Sequence, residues 1–267
     1  MARILHENLQ LYQEQLISPE KKNDELSPVL LIVRSLPSIG EDQEIRTGGT
    51  GSTSIAKELA AQLTNNGIPA GLVLTGQKMR EYFRKLTYGA SPVSDLDFNT
   101  AFYAWRAQLD QDDNKNHDKA VDTIIRQEVI EMSKKYPVIV IDSKVFSDIP
   151  ANQIFPHRFV IGVTANDEVA SKRMGGRDKL FDQIQKTRSQ RYQRDLNLYK
   201  SVYGIDFSPE AISAKCNLII DNSENWASPE DPQHFAQELI SYLQALWIIT
   251  QEMKTAPLSL INSISAD

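Results

Sequence analysis

Four short, mainly apolar runs constrain this chain more than any other feature of its sequence. They lie at residues 28–33, 138–141, 158–163 and 217–221, and a weaker run lies at 70–74. Continuous apolar runs of this length are typical of strands that are buried on both faces, as in a parallel sheet. Because helical patterns separate the runs, we predict an α/β fold: a doubly wound parallel sheet of about four or five strands with helices on both faces.

Helical spacing of apolar residues fills the intervals between these runs. It predicts helices at 55–63, 77–86, 95–109, 118–135, 178–203 and 232–253. Residues 110–118 are rich in Asp, Asn and Lys, and we interpret them as a charged surface loop. Residues 3–17 also show roughly helical spacing, whereas 18–27 are polar and include Pro19, so we expect an amphipathic helix followed by a linker.

These patterns divide the chain into three regions. We expect a helical extension and linker at 1–27, a main domain at 28–253 and a flexible tail at 254–267. The amphipathic helix at the start offers a surface for a protein partner.

Charge and cysteine content limit the partners that the chain can have. Its 267 residues carry a formal net charge of -6, which argues against a nucleic acid, because a phosphate backbone is bound by clustered Lys and Arg. Cys216 is the single cysteine, so no intramolecular disulfide can form, and its apolar neighbours predict a buried thiol. The sequence has no signal-peptide core and no apolar stretch of bilayer length, so we expect a soluble, cytoplasmic protein without a membrane partner.

Residues 46–54, with the sequence RTGGTGSTS, stand directly before a predicted helix. Small residues let the backbone wrap around a phosphate, and the helix directs its first N–H groups at the anion. The P-loop pattern G-x-x-x-x-G-K-[ST] fits if Gly51 is its second glycine and Thr53 its Mg²⁺-binding hydroxyl. Arg46 then stands where the first glycine belongs and Ser52 where the lysine belongs. A capped loop without a ligand is the alternative interpretation.

The spacing before this loop is unusual for a phosphate loop. The nearest buried run ends near Val33, well upstream. Either residues 34–44 expand the loop, or a short strand runs through 43–46. We favour the expanded loop, because the polar side chains of residues 42–44 would bury badly in a central strand.

Two further motifs follow predicted strands. Gly76 turns the chain after the run at 70–74, and Arg80 comes early in the next helix, where an arginine can hold an acceptor phosphate. Asp142 ends the run at 138–141, at the edge of the sheet where ligands bind, and can hold Mg²⁺ through water. A solvated helix arginine and a simple turn residue are the corresponding alternatives.

A basic stretch lies in the second half of the chain. Arg173 and Arg177 flank two glycines, and Arg188, Arg191 and Arg194 recur every three residues on the following helix. Arginines in such a segment can close over transferring phosphates and stabilise their charge. A solvated helix face is the alternative.

Taken together, these motifs resemble the cytidylate kinase family, in particular its archaeal-type and cytidylate-kinase-like branches. The resemblance covers about residues 46–223. It is carried by residues 46–56, 75–80, 121–122, 126–127, 140–144, 163–165 with Arg173, 203–206 and 218–223. Lys144 stands where the family has an arginine, and Ser143 where it has a glycine.

The resemblance implies a P-loop kinase with a helical lid at about 165–200, which transfers a phosphoryl group from ATP, with Mg²⁺, to a nucleoside monophosphate such as CMP or dCMP. The residues implied for the ATP phosphates are Arg46, Gly48, Gly49, Thr50, Gly51, Ser52, Thr53 and Ser54. Those implied for the metal are Thr53 and Asp142, and those for the acceptor are Gly76, Arg80, Asp122, Arg126 and Lys144. The implied catalytic arginines are Arg173, Arg177, Arg191 and Arg194.

Two alternatives stay open. The first is favoured by the missing loop lysine, the missing second lid arginine before Tyr199, the expanded loop and the added N-terminal helix. The chain can be a degenerate kinase fold that binds nucleotide or a protein partner without efficient turnover. It can also be a kinase that acts on a small molecule other than a nucleotide.

Overall fold

A parallel β-sheet forms the centre of the molecule. The computed structural model describes residues 3–7, 28–87, 101, 105, 108–152, 154–155, 157–175, 181–223 and 231–245. Eight strands lie within these ranges: β1 (Arg3–Glu7), β2 (Val29–Ser35), β3 (Ser38–Ile39), β4 (Ile45–Arg46), β5 (Ala70–Leu74), β6 (Val138–Asp142), β7 (Arg158–Thr164) and β8 (Leu218–Asp221).

The strand order of the main sheet is β1-β8-β7-β2-β6-β5. The five strands from β8 to β5 run parallel, and β1 pairs antiparallel with β8 at one edge. The short strands β3 and β4 form a separate antiparallel pair. A parallel sheet whose central strand leads through a glycine-rich loop into a helix is the α/β architecture of P-loop proteins, as the sequence predicts.

Helices cover both faces of this sheet. They are α1 (Ser52–Asn65), α2 (Thr75–Thr87), α3 (Gln111–Ser133), α4 (Asp167–Gly175), α5 (Phe181–Tyr203), α6 (Pro209–Ser213) and α7 (Asp231–Ala245). Two 3₁₀ turns, at Phe146–Asp148 and Pro150–Asn152, connect β6 to β7.

The central strand β2 is buried along its whole length, and its side chains alternate between two apolar cores. Leu31 and Val33 pack with residues of α1 and α7 on one face. Leu30 and Ile32 pack with residues of α3, α5 and α6 on the other. Burial on both faces explains why this strand is uniformly apolar in sequence.

The acidic segment predicted as a loop at 110–118 is instead the start of α3, so that prediction is wrong. Asp110 caps the helix by accepting a hydrogen bond from the Asp113 backbone N–H at 2.8 Å. Acidic residues in the first turn, here Asp112 and Asp113, stabilise a helix N-terminus through its dipole. The same charges that suggested solvated loop therefore favour the helix.

The chain start also differs from its prediction. Residues 3–7, expected to begin an amphipathic helix, form β1 on the sheet edge. Backbone pairing with β8 outweighs the weak helical spacing of five residues, because short isolated helices are unstable in water. The rest of the predicted extension and linker lies outside the described residues, as do the tail at 254–267, most of the predicted helix at 95–109 and residues 246–253.

Several smaller predictions can be compared directly. The strand predicted at 70–74 is β5 in full. Helix α4 lies within the helical lid expected at about 165–200, whereas α6 was not predicted. Cys216 is buried, as expected, and its thiol donates to the carbonyl of Ile212 at 3.5 Å. Across the described ranges no helix is long and apolar enough to cross a bilayer.

Candidate functional site

A cleft of about 680 Å³ opens at the carboxyl ends of the parallel strands. Ser35, Leu74 and Asp142, which end β2, β5 and β6, form part of its floor. This is the edge at which doubly wound sheets bind ligands, because the connections diverge there and leave a crevice.

The loop that enters α1 forms one wall of this cleft. Gly48, Gly49 and Gly51 have φ angles of 95°, 78° and 86°, a left-handed conformation that favours glycine. Residues 51–54, at the start of α1, line the cleft, and the N–H groups of a helix start can bind an anion. The β3–β4 pair lies between β2 and this loop, so the loop is expanded as predicted. The alternative, a short strand through 43–46, also holds in part, because β4 forms at Ile45–Arg46, although it pairs with β3 outside the main sheet.

Thr50 fastens the loop to the sheet. Its hydroxyl donates to Ser35 Oγ at 3.0 Å, and its carbonyl accepts from Asn222 Nδ2 at 2.8 Å. Arg173 Nη1 also donates to the Thr50 carbonyl, at 3.4 Å, and to the Asn222 carbonyl, at 2.8 Å. These bonds span the central strand, α4 and the end of β8, so the loop is held without a ligand.

The first two side chains of α1 both bind the carboxylate that ends β6. Ser52 Oγ donates to Asp142 Oδ1 at 3.1 Å, and Thr53 Oγ1 donates to Asp142 Oδ2 at 2.5 Å. Burial raises the pKa of Asp142, and the two hydroxyl hydrogen bonds oppose this effect. The structure thus brings together Thr53 and Asp142, the two residues predicted to hold Mg²⁺.

This set of oxygen donors fits Mg²⁺. No group of three or more His, Cys, Asp or Glu residues able to hold a metal occurs in the described part of the chain. Magnesium does not need one, because it binds through one or two protein oxygens, waters and substrate phosphates.

Arg46, predicted to bind phosphate, lies away from the cleft lining. Its buried guanidinium donates to Asp42 at 2.8 Å and to Asp167 at 3.3 Å, and it also pairs with Glu44. These ion pairs attach β4 to the start of α4. Arg46 therefore stabilises the phosphate loop from outside the cleft, through contacts within the protein.

Lys144, two residues beyond Asp142, lines the cleft in a tight ion pair with Asp195 of α5. Thr47 of the loop is near both, with its Oγ1 at 3.4 Å from Lys144 Nζ and from Asp195 Oδ2. Burial lowers the pKa of Lys144 to about 8, although Asp195 opposes this shift. Sequence analysis missed Asp195; its position four residues after Arg191, on the same helix side, was the available signal.

The opposite wall carries the residues predicted for the acceptor. Gly76 and Arg80, from the start of α2, line the cleft and are exposed. Asp118 and Asp122 line it from α3, and burial raises the pKa of Asp122 to about 7, with Asp118 adding to the effect. Arg126, one turn further along α3, is not among the lining residues.

The five arginines of the basic stretch, four of which are the predicted catalytic arginines, fall into three groups. Arg173, Arg191 and Arg194 line the cleft, whereas Arg177 lies outside the described residues. Arg188 is fully buried instead, and it donates to the carboxylate of Asp167, to Ser171 at 2.8 Å and to Ser38 at 2.9 Å.

The helices of the expected lid lie directly against the phosphate loop. A Cβ atom on Gly49 would be 2.1 Å from the carbonyl oxygen of Ala170 in α4, and one on Gly48 would be 2.8 Å from Met174 Sδ. Glycine at these two positions therefore allows the close approach of loop and helix.

No protein-family model and no curated protein sequence matches this chain. The solved structures that are similar to it include the two that follow. A protein from Thermus thermophilus described as TT1252 has 13% sequence identity and a TM-score of 0.44, over 81% of this chain and 98% of that one. A shikimate kinase from Acinetobacter baumannii, in complex with shikimate, has 10% identity and a TM-score of 0.41, over 82% and 94%. Neither likeness identifies a substrate for this chain.

Proposed function

We propose that this chain is a Mg²⁺-dependent phosphotransferase that uses ATP and acts on a nucleoside monophosphate of the CMP or dCMP type. One observation carries the proposal: a glycine loop and helix start present two hydroxyls to a half-buried carboxylate on the neighbouring strand. Ser52, Thr53 and Asp142 form that group. It couples a phosphate cradle to a cation site at the ligand edge of the sheet.

The loop wall supports a role in binding the donor phosphates. Residues 48–54 line the cleft, and the first N–H groups of α1 have no partner earlier in the helix. Phosphate oxygens of ATP would accept from these groups. Mg²⁺ bound by Thr53 and Asp142 would neutralise charge on the same phosphates.

The facing wall supports a role in binding the acceptor. Arg80 offers two parallel N–H groups to an acceptor phosphate, and Gly76 lies beside it on the cleft lining. Asp122, with Arg126 one turn away, offers polar groups to the remainder of the acceptor.

The reaction proposed is an in-line displacement at the γ-phosphorus of ATP. An oxygen of the acceptor phosphate forms the new P–O bond while the bond to the β-phosphate oxygen breaks and ADP leaves. Arg173 and Arg194 would oppose the negative charge that spreads over the transferring group, and the Lys144–Asp195 pair would hold the acceptor side in place. No covalent intermediate on the protein is required, so positioning accounts for most of the catalysis.

Two observations favour competing proposals. Ser52 occupies the lysine position, and Arg46 is held in ion pairs with Asp42 and Asp167. Neither side chain supplies a charge to the phosphates, which favours nucleotide binding without turnover. The carboxyl groups of Asp118 and Asp122 on the acceptor wall favour a small acceptor that carries hydroxyl or amino groups in place of a phosphate.

Mg²⁺-dependent ATP binding tests the first part of the proposal. ATP should raise the melting temperature of the parent protein much more with Mg²⁺ than without it, because ligand binding to the native state stabilises it. Asp142→Asn should abolish this difference. Asp221→Asn, which changes the carboxylate ending β8 outside the cleft, is the matched control and should leave it intact.

A panel of acceptors, scored by ADP release, tests the second part. CMP or dCMP should release ADP well above the rate with ATP alone. Release only with non-phosphorylated polyols or amines would favour the small-molecule kinase, and Mg·ATP binding with no release across the panel would favour the degenerate fold.

A further inference from the structure

The phosphate loop has no lysine of its own. In the P-loop pattern the lysine reaches the β- and γ-phosphates and supplies a charge that backbone amides cannot. Here Ser52 holds that position, and its hydroxyl is directed at Asp142. If ATP binds to this loop, the missing charge must come from another part of the cleft.

Six cationic side chains line the cleft among the residues described: Lys57, Arg80, Lys144, Arg173, Arg191 and Arg194. Lys57, Arg80 and Arg194 are exposed. Lys144 is paired with Asp195. Arg173 is bound to the backbone carbonyls of Thr50 and Asn222.

Arg191 differs from the other five. It is half-buried, and it makes no hydrogen bond or ion pair within the described part of the chain. Its Nη1 atom would be 3.2 Å from a Cβ atom on Gly48, so the guanidinium lies directly at the loop. It also interacts electrostatically with Asp142 and Lys144, so its charge lies near the proposed cation site.

Two anchors on α5 hold Arg191 at this place. One turn before it, Arg188 is fully buried and bound to Ser171 and Ser38. One turn after it, Asp195 is bound to Lys144. A side chain between two such anchors is positioned before any ligand arrives, so its charge does not depend on closure of a lid.

We propose that Arg191 replaces the missing loop lysine, so that a guanidinium from α5 contacts the β- and γ-phosphates that the lysine would contact in an ordinary P-loop. This inference rests on the proposed function, since it assumes that the loop binds a triphosphate. An arginine suits the task because its planar fork can bind two phosphate oxygens at once.

The experiment measures binding of Mg·ATP and of Mg·tripolyphosphate by titration calorimetry; the second ligand reports the phosphate contacts without the nucleoside. Arg191→Ala should weaken both ligands roughly tenfold to hundredfold, the range expected for one lost charged hydrogen bond. Arg191→Lys, which keeps the charge and loses the planar fork, should retain part of the affinity. Lys200→Ala removes an exposed charge from the same helix outside the cleft and should change neither ligand.

A lysine restored to the loop gives the decisive comparison. Adding Ser52→Lys to the Arg191→Ala variant should recover most of the lost affinity, although the new lysine is on a different element. Melting without ligand shows whether each variant is folded. If Arg191→Ala does not fold, Arg191→Gln removes the charge while keeping most of the side chain.

Each failure has a separate meaning. Parent protein that binds neither ligand would overturn the proposed function. Parent protein that binds both, together with Arg191→Ala and Arg191→Gln variants that bind equally well, would overturn only the assignment of Arg191. A loss that Ser52→Lys does not recover would show that Arg191 does not occupy the role of the lysine.

Discussion

Asp122 is a carboxyl group whose surroundings disfavour its charge. Burial against the cleft wall is the main cause, the neighbouring Asp118 adds to it, and Arg126 only partly compensates. The pKa of Asp122 is therefore raised from 3.8 to about 7. A raised pKa means that the folded protein binds this proton more tightly than the unfolded chain does, so ionisation of Asp122 lowers stability.

Replacing this carboxyl should therefore stabilise the protein in a pH-dependent way. We predict that Asp122→Asn raises the melting temperature by a few degrees at pH values above about 7, where the parent carboxyl is ionised in both states. The advantage should shrink as the pH falls from about 7 towards about 4, and vanish below that range.

A melting series across this pH range, with ligand absent, measures the effect. Asp113→Asn, which changes an exposed carboxylate on the same helix, is the control and should show a much smaller dependence. A constant difference between Asp122→Asn and parent at all pH values would contradict the assigned ionisation.

Site residues whose role follows from a local sequence pattern were predicted more readily than residues whose role depends on a contact between distant parts of the chain. Thr53 and Asp142 follow from a helix start and a strand end, and the structure brings them into contact. Asn222 was not predicted, because its bond to Thr50 joins positions that no local pattern connects. Arg46 was assigned wrongly for the same reason. Its sequence position suggested a contact with a ligand, but it pairs with Asp167, which lies far along the chain.

At the scale of elements, the contact between the phosphate loop and α4 leaves no room for a side chain. Gly49 and Gly67 both have positive φ angles, 78° and 81°. A Cβ atom on Gly49 would lie 2.1 Å from the Ala170 carbonyl oxygen, whereas one on Gly67 would have no atom within 4 Å. The two glycines thus share a backbone requirement and differ in packing.

This pair separates backbone strain from steric overlap. Gly67→Ala should lower the free energy of unfolding by about 1 to 2 kcal/mol, the cost of a left-handed non-glycine residue. Gly49→Ala should cost that amount and about 1 to 3 kcal/mol more, because loop and helix must separate. Urea unfolding measures both, and equal losses would mean that α4 moves away from the loop without cost.

Strong hydrophobic periodicity explains which elements the sequence could predict. The five parallel strands were all found. Burial on both faces leaves a continuous apolar signal in β2, β6, β7 and β8, whereas the edge strand β5 is only partly buried and gave the weaker run. The first turns of α3 were missed, because they are stabilised by the Asp110 cap and the helix dipole. The spacing of apolar residues carries no information about either effect.

At the scale of the whole molecule, β1 covers one edge of the sheet. Its register pairs Arg3 with Asp221 and Glu7 with Leu218, so β8 has hydrogen-bonded neighbours on both sides. Without β1, β8 would become an edge strand with free backbone groups.

Removing residues 1–7 should therefore loosen β8 and leave the centre of the sheet unchanged. We predict faster hydrogen exchange for the β8 amides that face β1, and unchanged exchange for the buried amides of β2. The measurement is native-state exchange on the full and shortened chains. Equal protection of β8 in both would show that the edge pairing adds nothing to its stability.

The rate at which the buried Cys216 is labelled can report how often the core opens around it. Burial raises the pKa of its thiol to about 11, and the side chain is 0% exposed, so alkylating reagents can reach a reactive thiolate only while the surrounding structure is open. Because it is the single cysteine, the rate of labelling counts openings of one place in the core. Slowing of that rate on addition of a nucleotide would report occupancy of the cleft from inside the protein, with no dye or engineered residue.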